Sequence, residues 1–158
     1  MDNIKQEEFT RRIGNANKTE MIVIVYDIAL QYAKDAQTAY DAGDMTTYSE
    51  NLTRTRKCVD NLIEALNFDI DISNQLFALY NFVKKNLMNA RITRTDRGLK
   101  DAVKVLGDMR EIFVELAKLD NSGVMMDSTQ HVVTGMTYGR GVLNDSVVNA
   151  DKSTSFSV

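Results

Sequence analysis

The chain has 158 residues, 44% of them hydrophobic and 26% charged, a balance that builds a core and excludes a disordered chain. A net charge of -3 gives no global attraction to nucleic acid, and the 1 cysteine, Cys58, excludes both an intrachain disulfide and a cysteine-based zinc site. The sequence contains 0 Pro, so the strongest helix breaker is missing throughout.

The opening, "MDNIKQEEF", carries Glu7 and Glu8 and does not read as a signal peptide. Residues 1–16 are expected to form a short N-terminal segment. The stretch "MIVIVYDIAL", residues 21–30, then reads two ways. Its four β-branched residues, Ile22 to Val25, suit a strand. Yet Asn17 can cap a helix, with Glu20 three residues on to complete a capping box. Ala29, Ala33, Ala36 and Ala39 continue at helical spacing with no turn signal before Gly43. The spacing therefore predicts one helix over residues 18–42. At about 100° per residue its apolar arc is more than twice the roughly 100° stripe of a surface helix. Either this helix is central and surrounded, or part of its face waits for a partner. The run is too short to span a membrane and contains Asp27, so a soluble, cytoplasmic protein is expected.

Gly43 ends the first long helix and Asp44 caps the second. Met45, Tyr48, Leu52, Thr55, Val59, Leu62 and Leu66 follow at alternating three and four spacings, the seam of a bundle helix. "NFDIDIS" is a short link. A third helix over residues 72–91 is expected to turn Ile72, Leu76, Leu79, Val83 and Leu87 inward. After the turn "ITRTD", a fourth over residues 96–119 is expected to turn in Leu99, Val103, Leu106, Phe113 and Leu116. Four long helices with short connections predict an all-α, antiparallel up-down four-helix bundle over residues 1–119. Residues 120–158, rich in Ser, Thr and Gly, read as an irregular C-terminal extension. It is either a flexible tail or, given Val132, Val133, Met136, Tyr138, Val142 and Leu143, docked on the bundle.

Little in the chain suggests catalysis. His131 is the 1 histidine and lies in the extension, which excludes a histidine-bearing di-iron bundle and a phosphorelay helix. It has no nucleophile motif beside it. Cys58 flanks the seam residue Val59 and reads as a packed side chain. No metal or cofactor is expected, and no enzymatic activity. Basic residues cluster at 54–57, "RTRK", and again at Lys84, Lys85, Arg91, Arg94, Arg97 and Lys100. A solvated helix face explains them better than a nucleic-acid patch. Apolar residues exceed what a core needs in two more places: Val105, Ile112 and Leu119, seven apart, and Phe77 and Met88. Either another part of the chain covers them, or they form a groove for a partner's amphipathic helix.

These elements in this order resemble the flagellin-specific export chaperone family known as FliS, over roughly residues 8–119. The family opens its first long helix with a polar cap, then an apolar run ending in Leu-Tyr-Asp. Here Asn15-Ala16-Asn17-Lys18 precede Met21 to Val25 and Tyr26-Asp27. "DAGDMTTYSENLTRTRKCVDNLIEALNFD" follows the order and spacing of its second helix, and "NQLFALYNFVKKNLMNAR" that of its third. Met109-Arg110-Glu111-Ile112-Phe113 stands for the closing pattern of its fourth, with Phe113 in place of a tryptophan. The resemblance implies a non-enzymatic, cytoplasmic four-helix bundle. Such a chaperone binds the C-terminal helical segment of flagellin, prevents premature polymerisation and delivers the client to the flagellar export apparatus. Other flagellar regulators are further candidate partners. The client surface is then expected at Ile22, Tyr26, Leu30, Phe77, Tyr80, Val105 and Ile112. The N-terminal segment, through Ile4, Phe9 and Ile13, is expected to cover that surface when no client is present. Two alternatives stay open: a self-associating structural bundle without a client, and an RNA-binding bundle using the basic clusters.

Overall fold

The computed structural model describes residues 1–125. They form five helices: α1 (Asn3–Asn15), α2 (Lys18–Asp41), α3 (Met45–Glu64), α4 (Ile72–Thr93) and α5 (Arg97–Leu119). No strand occurs among the described residues.

The ambiguous run at residues 21–30 lies inside α2. Its start is fixed by reciprocal hydrogen bonds. The Glu20 amide donates to the Asn17 side chain at 2.9 Å, and the Asn17 amide donates to the Glu20 carboxylate at 3.0 Å. Replacing Asn17 with alanine should cost about 1 kcal/mol of stability, read as a lowered urea midpoint; an unchanged midpoint would show that the cap contributes nothing. The β-branched residues are held helical by burial. Each buried Ile or Val stabilises by about 1.5–3 kcal/mol, against a helix penalty below about 0.7 kcal/mol. Burial wins because α2 packs against α1, α3 and α5 at once. Its broad apolar arc is met by three neighbouring helices, with Ile22 and Leu30 left half-buried.

The contacts close a ring: α2 on α3, α3 on α4, α4 on α5, and α5 back on α2, with α1 lying on α2. Along α2 and α5 the partners run in opposite order. Thr19 donates to Asp120 at 2.5 Å, Asp27 meets Arg110, and Gln37 donates to Asp96 at 3.1 Å. Gly43, at φ +74°, makes the reversal between α2 and α3, and the Thr47 amide donates to Asp44 at 3.0 Å to begin the next helix. In α3 the expected seam is buried at Tyr48, Leu52, Thr55, Val59 and Leu62, and Met45 and Leu66 pack at its ends. Cys58 is wholly buried, which pushes its thiol up to about 12 and removes its nucleophilicity at neutral pH.

Helix α4 is rotated from the expected setting. Ser73, Tyr80, Val83, Leu87 and Ala90 face the core, while Ile72 and Leu79 are exposed. The inner polar groups have partners: the Tyr80 and Tyr26 hydroxyls bond at 2.6 Å, and Ser73 Oγ donates to the Asn67 carbonyl at 2.6 Å. On α5, Leu99, Ala102, Leu106 and Met109 are buried, whereas Val103 and Leu116, expected inside, are exposed. Gly98 accounts for the setting of α5. Its Cα lies so close to the α4 backbone that an added Cβ would meet the Asn86 carbonyl.

The N-terminal segment is itself helical. The Lys5 amide donates to the Asp2 side chain at 2.9 Å to start α1, Ile13 is buried and Phe9 packs on the core. At the other end, residues 120–125 fold back onto the α1–α2 junction. The Asn17 side chain donates to the Asp120 carbonyl at 3.3 Å, and the Met125 amide donates to the Ala16 carbonyl at 3.0 Å. The remaining part of the C-terminal extension, including His131 and the apolar residues singled out there, lies outside the described residues.

Candidate functional site

The most unusual surface of the molecule is apolar. On α4, Ile72, Leu79 and Phe82 are exposed, Phe82 at 47%. On α5, Ile112 is 60% exposed and Leu116 47%, with Val105 half-buried beside them. At about 100° per residue, Ile72, Leu79 and Phe82 lie within about 40° of Asn86 on α4. Val105, Ile112 and Leu116 lie within about 40° of Gly98 on α5 by the same count. Asn86 and Gly98 are where the two helices touch. The two apolar stripes therefore flank one helix–helix contact and run along its outer side. Nothing among the described residues covers them. Across α4, Phe77 is also exposed and meets Phe68 edge-on, with ring centroids 5.6 Å apart.

The residues expected to meet a partner divide into three groups. Val105 and Ile112 lie on this surface, and Phe77 is exposed on the opposite side of α4 against Phe68. Ile22 and Leu30 are half-buried on α2 and pack against the core. Tyr26 and Tyr80, expected at the surface, are instead 0% and 1% exposed. Their hydroxyls satisfy each other, and the Tyr26 ring packs on Phe113 at 5.5 Å, so the pair serves the core. Of the expected cover residues, Ile13 is buried and Phe9 half-buried, while Ile4 is 79% exposed. Sequence reasoning missed Phe82 and placed Leu79 and Leu116 inside. The wheel alone holds no signal for this, because the true inner positions of α4 include a serine and a tyrosine.

Beside α1 lies a shared ion pair. The Asp27 carboxylate, 15% exposed, accepts from Arg12 at 2.6 Å and from Arg110 on α5. The bond to Asp27 is the main reason the Arg110 guanidinium is raised above its ordinary value. This carboxylate ties α1, α2 and α5 together at one point. Such a pair does more for the register of three helices than for net stability, because desolvation offsets much of its Coulomb gain.

Among the described residues, no group of three or more His, Cys, Asp or Glu is placed to hold a metal ion. No helix among them is long and apolar enough to cross a membrane. Fold and surface together define a protein that is all-helical among the described residues and whose distinguishing feature is exposed apolar helix surface.

The chain belongs to the FliS family: the family profile described as "Flagellar protein FliS" matches residues 1–120. A similar protein is the flagellar secretion chaperone FliS of Bacillus subtilis (strain 168), 24% identical over 99 residues that cover 63% of this chain and 74% of the relative.

Proposed function

We propose that this protein is a cytoplasmic flagellar export chaperone with no enzymatic activity, and that it holds the C-terminal helical segment of flagellin before export. Family membership and the name of the Bacillus subtilis relative support the general role. The observation that carries the binding mode is the uncovered apolar stripe of α4 and α5. In this reading α2 to α5 form an antiparallel up-down four-helix bundle, a reading supported by the closed ring of contacts and the opposed order of partners along α2 and α5.

The client's amphipathic helix lays its apolar face along Val105, Ile112 and Leu116 on one side and Leu79 and Phe82 on the other. Burial drives binding, and the entropy of ordering a disordered client limits affinity, so the complex remains releasable. Phe77 extends the client surface across α4, and Ile22 and Leu30 extend it on α2. Helix α1, seated through Phe9 and Ile13, is the cover segment, with Ile4 turned to solvent. The export apparatus receives the loaded complex, and other flagellar regulators are further partners of the same surface.

Calorimetric titration with the C-terminal segment of flagellin tests this. A one-to-one complex with a negative heat-capacity change is expected. Ile112→Glu should weaken it at least about tenfold, because burying an isoleucine is worth about 1.5–3 kcal/mol, while the melting temperature stays unchanged. Absence of binding would overturn the reading. A client-free dimer that buries the stripe would replace it with self-association.

A further inference from the structure

The two basic clusters of the sequence meet in space. Arg54 and Lys57 on α3, and Arg91 and Arg94 at the end of α4, line one cleft of about 630 Å³. The cleft's single carboxylate comes from Glu50, and its lining includes the hydroxyl-bearing Thr46, Ser49 and Thr53. Among the described residues, none of the four cations forms an ion pair. By contrast Lys84, Lys100, Arg110 and Lys118 each have a carboxylate partner. A helix C-terminus accounts for cations at the end of α4 through its dipole. It does not account for Arg54 and Lys57, which project from the middle of α3 into the same space. Four cations around one carboxylate repel one another, and an anion relieves that repulsion.

We infer that this cleft is a docking site for an acidic segment of a partner protein, distinct from the apolar stripe. The spacing favours a peptide. Arg54 and Lys57 are one helical turn apart on α3, while Arg91 stands in the last turn of α4 and Arg94 just past its end, at φ +54°. Arg54 and Lys57 present a cationic pair that matches carboxylates spaced one turn apart on a helix, and Arg91 and Arg94 line the same cleft. A nucleic acid fits less well. The chain is acidic overall at -3, and the aromatic side chain of the cleft, Tyr48, is buried and offers no face for base stacking. Arg54 is already steadied by lying over the Tyr32 ring at 5.8 Å, which lowers the entropy lost when it binds. The inference does not depend on the export-chaperone reading.

The test uses the full chain and a synthetic helical peptide of about four turns with glutamates one turn apart, followed by fluorescence anisotropy at about 0.05 M salt. Binding is expected, falling steeply as salt is raised. The double charge reversal Arg54→Glu with Arg91→Glu should weaken it at least about tenfold, since charge-assisted bonds are the strong ones. Lys85→Glu, an equal kind of charge change outside the cleft, should leave affinity within about twofold. Melting curves confirm that the variants fold, and each single reversal is read alone should the double fail. No binding would overturn the inference. So would equal weakening by Lys85→Glu, or tighter binding of an oligothymidylate than of the peptide.

Discussion

A Tyr26→Ala variant should lose about 3–5 kcal/mol of stability, the range for removing a buried aromatic ring. The ring is fully enclosed, packs on Phe113 and carries one half of a hydroxyl pair whose other half is Tyr80. Two gentler variants separate packing from hydrogen bonding. Tyr26→Phe keeps the ring but strands the Tyr80 hydroxyl, and should cost about 1–3 kcal/mol. Adding Tyr80→Phe removes both hydroxyls and should recover most of that loss. A double variant no better than the single would refute the pairing as the cause. The pair also sets an alkaline limit. Burial raises both phenols above their ordinary value, with Tyr26 raised further by its proximity to Tyr80. In the unfolded chain they ionise near pH 10, while in the folded protein they stay neutral. Above that pH the native state binds more protons than the unfolded state, so stability falls as pH rises. Below it the contribution is complete. Urea midpoints at about pH 8 and about pH 11 should diverge in the native protein and diverge less in the double phenylalanine variant, where only the buried Cys58 thiol and Tyr48 phenol, both pushed up to about 12, still act in this way.

Gly98→Ala should destabilise the protein by about 1–3 kcal/mol even though alanine favours a helix by about 1 kcal/mol over glycine. The added Cβ would run into the Asn86 carbonyl and crowd the Ala90 amide, both backbone groups that cannot swing aside. Relief requires α4 and α5 to move apart. Gly107, on the same helix, is the internal control: a Cβ there meets nothing within 4 Å. Gly107→Ala should therefore stabilise by about 0.5–1 kcal/mol. Two glycines in one helix with opposite signs would show that the α4–α5 approach, and not helix propensity, decides the effect. Equal and positive shifts at both would disprove the close approach.

Much of this architecture was legible in the residues. Caps at Asn17 and Asp44 and the reversal at Gly43 placed both ends of α2 and the start of α3 to within a residue or so. The α3 seam was read correctly because its buried positions are mostly apolar. The inner face of α4 was not, because Ser73 and Tyr80 face inward only through partners on other parts of the chain, and a helical wheel scores them as polar. The same blindness put Leu79 in the core, while the family resemblance put Tyr26, which is 0% exposed, on a contact surface. The helicity of α1 escaped notice because its apolar content is thin, and only Ile13 is buried. The exposed stripe was half visible in the spacing of Val105 and Ile112. Its other half, on α4, depended on a rotation that no local pattern reports. The meeting of Arg54 with Arg91 likewise needed the packing of α3 on α4.

Helix α2 also has a history that its position imposes. Emerging early from the ribosome, it carries the broadest apolar face in the chain. Its neighbours α1 and α3 are at hand within a few residues, but α5 is the last of the described helices to be made. Until residues 97–120 arrive, the side of α2 that carries Tyr26, Asp27 and Gln37 has no lasting cover, and Asp120 cannot close on Thr19. The nascent protein thus passes through an interval in which it presents the kind of surface that invites aggregation. The final closure joins segments about a hundred positions apart, the slow and entropically costly sort of contact. Truncations that end before α5 should consequently be recovered as insoluble chains rather than as smaller folded domains.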